Sequence, residues 1–257
     1  DRTFSKTVFA VVVEEGVRVM LRFVKVILWN LPRAYMIPRM DYRARHGEKY
    51  SEEECYRYAQ LAIRRMMRAG NISTQKYGTE HLPEEGGYMM FPNHQGKYDA
   101  LGIMYAHEKP CSVVIDDAKS HGVLVKQFID LIHGKRLVKN DPRQSVRIIR
   151  ELTEDTKKGR RFIIFPEGGY HKNHNSVGEF KAGSFKSAVK AEVPIIPVAL
   201  VDSYRAFEEW SLRPVVTQVH FLKAIPYDEY KNMSTAQIAV MVRDRIVSTI
   251  QEVLSPA

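Results

Sequence analysis

From residue 73 onward, short apolar or β-branched runs alternate with segments of helical period, and this alternation restricts the fold more than any other feature. Strands are expected near 73–77, 87–92, 111–116, 135–138, 161–165, 194–201 and 215–222. Helices are expected over 98–107, 120–132, 142–157, 181–191 and 234–253. Strands separated by helices build a sheet covered on both faces, an α/β domain. Another helix should precede the first strand, from Ser51 to Ala69. Ser51 is its N-cap, Glu52 to Glu54 fill its first turn, and Gly70-Asn71 closes it. No internal repeat, low-complexity tract or linker interrupts the pattern, and 257 residues suit a single domain with a substantial core. With 44% hydrophobic and 27% charged residues, composition indicates neither disorder nor an integral membrane protein.

Charge is unevenly placed. Of the net +9, residues 1–50 supply ten Lys/Arg against five Asp/Glu, or +5. Such an excess favours a polyanionic partner, either nucleic acid or an anionic lipid surface. Residues 4–29 read as one helix in which Glu14, Arg18, Arg22 and Lys25 recur at i, i+4, i+8 and i+11, leaving an apolar remainder that ends at Trp29. Those charges interrupt the run, so it should not cross a bilayer. The pattern suits a helix lying in a membrane interface with its basic residues toward headgroups; a helix packed on the core is the alternative. Pro32 and Pro38 are expected to break the chain, and Arg33, Arg39, Arg43 and Arg45 to extend the cationic surface. We therefore expect a membrane-associating element over 1–50 and an α/β domain over 51–257. Cys55 and Cys111 suggest no disulfide framework or zinc site, which fits a cytoplasmic setting. No metal is expected, because His171 and His174 lack a third ligand at suitable spacing.

Three segments carry candidate chemistry. Phe91-Pro92-Asn93-His94-Gln95-Gly96-Lys97-Tyr98-Asp99 follows a strand, where α/β enzymes place their sites. On a continuous helix His94 and Asp99 would be out of phase, so a reversal at Gly96 is expected to bring the carboxylate to one imidazole nitrogen. The other nitrogen could then take a substrate proton. No serine or cysteine there is set up as a nucleophile, which favours attack by a substrate hydroxyl. Phe165-Pro166-Glu167-Gly168-Gly169-Tyr170-His171 follows another strand, with glycine N–H groups able to approach an anion and Glu167 placing a carboxylate at the mouth. Phe180-Lys181-Ala182-Gly183, followed by Val193-Pro194-Ile195-Ile196-Pro197-Val198, joins a helix start to a buried strand and leaves Lys181 free to meet a phosphate.

The order NHxxxxD, FPEG, FKxG, PIIPV over roughly residues 73–222 resembles the glycerolipid acyltransferase family, whose bacterial members include 1-acylglycerol-3-phosphate acyltransferases. The resemblance implies a mixed, mostly parallel sheet flanked by helices, with an N-terminal helical element that rests in the membrane; with the cytoplasmic setting read from the cysteines, peripheral or monotopic attachment to the cytoplasmic face of the cell membrane is expected. It makes His94 the base that deprotonates the acceptor hydroxyl and Asp99 the group that orients it. The loop of Phe165, Pro166, Glu167 and Gly168 would help hold the acceptor phosphate. The acyl donor would be a thioester of coenzyme A or acyl carrier protein, a co-substrate, with no bound cofactor.

Two departures from the family pattern bear on the acceptor. Gly169 and Tyr170 stand where many members have Thr-Arg, and Lys139-Asn140 where an Asp-Arg is usual. Lys119, Arg136, Lys139, Lys172 or Lys181 could supply the missing charge. The favoured acceptor is lysophosphatidate; another lysophospholipid or glycerol 3-phosphate is the alternative. A catalytically silent lipid-binding module is disfavoured by the intact His94 and Asp99. Nucleic-acid binding is disfavoured because no helix-turn-helix, zinc-finger, RNP or KH signature is present.

Overall fold

The computed structural model describes residues 21–139, 141–170 and 173–255. In chain order its helices and strands are α1 (Leu21–Asn30), α2 (Met36–Arg45), α3 (Glu52–Gly70), β1 (Ile72–Tyr77), β2 (Tyr88–Pro92), α4 (Asp99–Ala106), β3 (Ser112–Asp116), α5 (Val125–Leu131), β4 (Lys135–Leu137), α6 (Pro142–Lys157), β5 (Arg161–Ile163), α7 (Lys186–Ala191), β6 (Ile195–Val201), β7 (Val215–Phe221), α8 (Tyr227–Tyr230) and α9 (Thr235–Leu254). Each expected strand is present. The expected helix over 181–191 forms as a 3₁₀ turn, Ala182–Phe185, followed by the short α7.

The sheet runs β1-β7-β6-β2-β5-β3-β4. From β6 to β4 neighbours are parallel, β7 is antiparallel to β6, and β1 is parallel to β7. The sheet is therefore mixed and mostly parallel. Every residue of β2 and β6 is buried, as expected of central strands covered on both faces. Alternate side chains of β2 enter opposite layers. Tyr88 and Met90 join Met40, Tyr56, Ile63 and Met104 on one side, while Met89 and Phe91 join Ile148, Phe185, Val242 and Ile246 on the other. The carboxyl ends of β2, β5 and β6 thus open side by side.

Local signals explain the best-defined ends. Ser51 and Glu54 form a reciprocal capping box on α3, and Asn71 closes that helix in the left-handed region at φ 53°. Ser234 and Gln237 cap α9 in the same way. The expected break at Pro38 is not found. Pro38 is the third residue of α2, within the first turn, where a missing N–H removes no intrahelical bond.

Of the proposed N-terminal helix, only residues from 21 onward are described; Glu14 and Arg18 lie outside. Val26, Met36 and Met40 are buried in the same layer as α3, so this part packs on the domain. Arg22, expected on a headgroup-facing stripe, is instead fully buried and hydrogen bonded to three backbone carbonyls. The reason is local demand: the carbonyls of Arg205, Ala206 and Arg213 sit in an irregular segment with no ladder to satisfy them. Leu28, Trp29, Leu31 and Tyr35 are exposed. Among the described residues no helix is long and apolar enough to cross a membrane.

Candidate active site

β2 delivers Asn93, His94 and Gln95 to the carboxyl edge of the sheet, and two of these side chains tie the loop to β6. Asn93 is completely buried, accepting from the Leu200 N–H at 2.8 Å and donating to the Leu200 carbonyl at 3.1 Å. Gln95 donates to the same carbonyl at 2.8 Å and to the Asn175 side chain at 2.9 Å, and accepts from the Ser203 N–H at 2.8 Å. His94 stands between two such anchors, so its backbone is fixed before its side chain does anything.

Asp99 is the first residue of α4 and is buried. Its Oδ2 accepts from His94 Nδ1 at 2.7 Å, from the Gln95 N–H at 2.5 Å and from the Gly96 N–H at 2.9 Å. Ser203 Oγ donates to Oδ1 at 2.5 Å. The reversal expected at Gly96 is present, but its cause differs. Gly96 is not in the left-handed region, and the turn is set by the carboxylate gathering two successive N–H groups. With Nδ1 donating to Asp99, His94 presents Nε2 as an acceptor with no partner among the described residues. Its imidazole is 17% exposed, so the free nitrogen faces the opening.

The FPEG loop closes over this imidazole. Phe165 stacks on it with ring centroids 4.2 Å apart, and Tyr170 meets it edge-on at 5.0 Å. Glu167 does not stand at the mouth as expected. It is buried and points inward, accepting from the His94 N–H at 2.8 Å and the Gly178 N–H at 3.2 Å. Burial pushes its carboxyl up, against the pull of those two N–H groups. Glu167 is thus a brace, because a buried carboxylate requires donors and the nearest are backbone N–H groups. The Pro166 carbonyl accepts from the Lys181 N–H at 2.9 Å, which ties the second and third segments together.

Gly168 is favoured here by its backbone, and the Lys181 side chain lies close against it. Its φ is +72°, and a Cβ at this position would lie 2.6 Å from Lys181 Nζ. Lys119 Nζ lies 5.3 Å from the centre of the Tyr170 ring. Lys119 and Lys181 have no carboxylate partner among the described residues, whereas Lys139 is paired with Asp116 at 3.0 Å. Arg136 bonds Asp130 at 2.6 Å and Ser120 Oγ at 2.9 Å, and no contact joins it to the His94 loop. Lys172 and His171 lie outside the described residues; His174 stacks on Tyr204 at 4.3 Å. Sequence reading missed Ser203, Gln95 and Asn93 as parts of the site. The only available signal for the last two was their place beside His94.

Comparison with known proteins places the chain among acyltransferases. The chain is 29% identical over 196 residues to 1-acyl-sn-glycerol-3-phosphate acyltransferase alpha of Ovis aries, covering 71% of this chain and 64% of that one. It is 25% identical over 237 residues to 1-acyl-sn-glycerol-3-phosphate acyltransferase of Cocos nucifera, covering 91% and 73%. The chain thus spans a little under two thirds of the length of the mammalian relative. The fold matches the crystal structure of the 1-acyl-sn-glycerophosphate (LPA) acyltransferase PlsC from Thermotoga maritima, with a TM-score of 0.73 at 18% identity, over 93% of this chain and 100% of that one. The family model described as Acyltransferase matches residues 73–201, just over half of the chain and including the segments 91–99, 165–171 and 180–183, and the chain belongs to that family.

Proposed function

We propose that the chain transfers a fatty acyl group from a thioester of coenzyme A or acyl carrier protein to the free hydroxyl of lysophosphatidate, forming phosphatidate. The observation that carries this reading is the His94–Asp99 pair with Nε2 open at the sheet edge. Nε2 takes the acceptor's hydroxyl proton as the oxygen attacks the thioester carbonyl, and Asp99 supports the imidazolium that forms. The tetrahedral intermediate then expels the thiolate, which recovers the proton from His94. The N–H groups of Gln95 and Gly96 are engaged by Asp99, so the oxyanion must be stabilised by other donors.

Lys119 and Lys181 bring positive charge with no carboxylate in ion-pair contact among the described residues, which suits a phosphate monoester on the acceptor. Exposed Leu28, Trp29, Leu31 and Tyr35, with Arg33 and Arg39 in the same stretch, suit peripheral attachment to an anionic membrane at its cytoplasmic face. Incubating the protein with lysophosphatidate, other lysophospholipids and glycerol 3-phosphate, each with both thioester carriers, tests the reading by mass spectrometry of the products. Phosphatidate as the dominant product supports it. Acylation of a different acceptor would keep the reaction type and replace the substrate, and no acyl transfer from either donor would overturn the proposal.

A further inference from the structure

The two oxygens of Asp99 are served unequally. Oδ2 takes three donors from its own loop, while Oδ1 takes one, the hydroxyl of Ser203, which lies 104 residues further along the chain. A carboxylate held at one oxygen can still swing about its Cβ–Cγ bond. Bonding the second oxygen fixes the plane of the group, and with it the direction in which Oδ2 faces His94 Nδ1.

Ser203 is itself held. It opens the 3₁₀ turn Ser203–Ala206 after β6, and Gln95 Oε1 accepts its N–H. At the other end of that turn Arg22, from α1, donates through Nη1 to the carbonyls of Arg205 at 2.5 Å and Ala206 at 3.0 Å, and through Nη2 to that of Arg213 at 2.6 Å. No carboxylate lies within ion-pair distance of this guanidinium among the described residues, and burial lowers its pKa, with Glu209 opposing and Arg205 reinforcing that effect. A buried cation held only by carbonyls is costly, and an aliphatic side chain would fill the space at less expense. What an aliphatic residue cannot do is hold three carbonyls of an irregular segment in place.

We infer that Ser203 is a positioning residue for the His94–Asp99 pair and that Arg22 keeps it there, so that α1 helps to set the geometry of the base. This rests on the reading of His94 as the proton acceptor. In the full chain, Ser203→Ala should lower kcat about ten-fold while the KM values for lysophosphatidate and for the thioester stay within about two-fold, because the dyad is misaimed and neither substrate contact is touched. Ser203→Thr, which retains the hydroxyl, should recover most of the rate. Arg22→Met should lower kcat by a similar factor, and the double variant should fall no further than the slower single one, since both act through one turn. The downfield proton resonance of His94 Nδ1, assigned by its absence in His94→Ala, should shift in Ser203→Ala and in Arg22→Met and return in Ser203→Thr.

Wild-type kcat with an unmoved resonance in Ser203→Ala would overturn the inference, as would failure of threonine to rescue a folded protein. Multiplicative losses in the double variant would overturn the part assigned to Arg22. If Arg22→Met does not melt cooperatively, Arg22→Lys takes its place, because it keeps the charge and loses the two-pronged donor. Retained turnover in His94→Ala would instead overturn the parent reading, a failure distinct from those of the Ser203 variants.

Discussion

The two ends of α4 carry the same kind of chemistry and put it to opposite uses. At the first residue, Asp99 holds His94 by one nitrogen and leaves the other open. At the far end, His107 caps the helix with both nitrogens taken: Nδ1 donates to the Lys109 carbonyl at 2.6 Å, and Nε2 accepts from the Tyr88 hydroxyl at 2.6 Å. Tyr56 and Gln60, one turn apart on α3, donate to the Met104 and His107 carbonyls that the helix end leaves unpaired. The difference teaches that a histidine's role lies in what its second nitrogen meets. His107 is 1% exposed and saturated, so it can only anchor; His94 keeps one nitrogen unpartnered among the described residues, which is what the proposed role of base requires.

The sharpest break of this comparison removes each imidazole in turn. His94→Ala should lower kcat by roughly 10² to 10⁴ without changing the melting temperature appreciably. Asp99→Asn should lower it by at least about 10², since an amide can neither hold the required tautomer nor support the imidazolium. Steady-state rates alongside thermal melts check both. A folded His94→Ala protein with normal turnover would end the assignment.

At the other end the expected effect moves from rate to stability. His107→Leu removes the imidazole partner of the buried Tyr88 hydroxyl and of the part-buried Lys109 carbonyl, at a cost of about 2 to 4 kcal/mol in urea unfolding, while kcat of the folded protein changes less than about two-fold. A rate loss comparable to that of His94→Ala would erase the distinction between the two ends.

A pH series sharpens it further. Burial lowers the pKa of His107 from 6.5 to about 4, against the pull of the Lys109 carbonyl. Between those values the unfolded chain binds the proton and the folded chain does not, so stability falls as pH falls through that window. The slope from this residue is at most about 1.4 kcal/mol per pH unit and vanishes above the unfolded value. Urea midpoints of the wild type and His107→Leu, compared from pH 7 to pH 4, isolate it. Parallel curves would mean that His107 does not carry the acid sensitivity.

Much of this was legible in the sequence wherever the cause is local. The strands follow from apolar runs, α3 from Ser51 and Glu54, and the His94–Asp99 pair from five residues of spacing after a buried strand. What escaped is what depends on distant chain. Ser203 reaches Asp99 across 104 residues, and Arg22 meets carbonyls more than 180 residues away. Nothing in the neighbourhood of either one hints at its partner. Glu167 was legible as part of the site but not in its direction, because the choice between the opening and the His94 N–H is made by the packing of the loop.

Lys181 offers the smallest effect and the finest division within the site. The sequence places it at a helix start, free to meet the acceptor phosphate. The structure puts a four-residue 3₁₀ turn there instead, with the Ser184 N–H bonded back to the Lys181 carbonyl, so under the proposed function the expected phosphate contact falls to the side chain. Its ammonium lies against Gly168 at the rim of the loop that covers His94. We expect Lys181→Ala to raise the KM for lysophosphatidate about five- to ten-fold, on the order of one exposed charge-assisted hydrogen bond, with kcat and the KM for the thioester nearly unchanged. The lost contact belongs to the acceptor in ground and transition states alike, so it should appear in binding and not in turnover. Varying each substrate in turn decides the matter. A selective rise in the thioester KM would place Lys181 at the donor's phosphates, and a fall in kcat alone would mean that it acts through the Gly168 loop on His94, joining the machinery at the first end of α4.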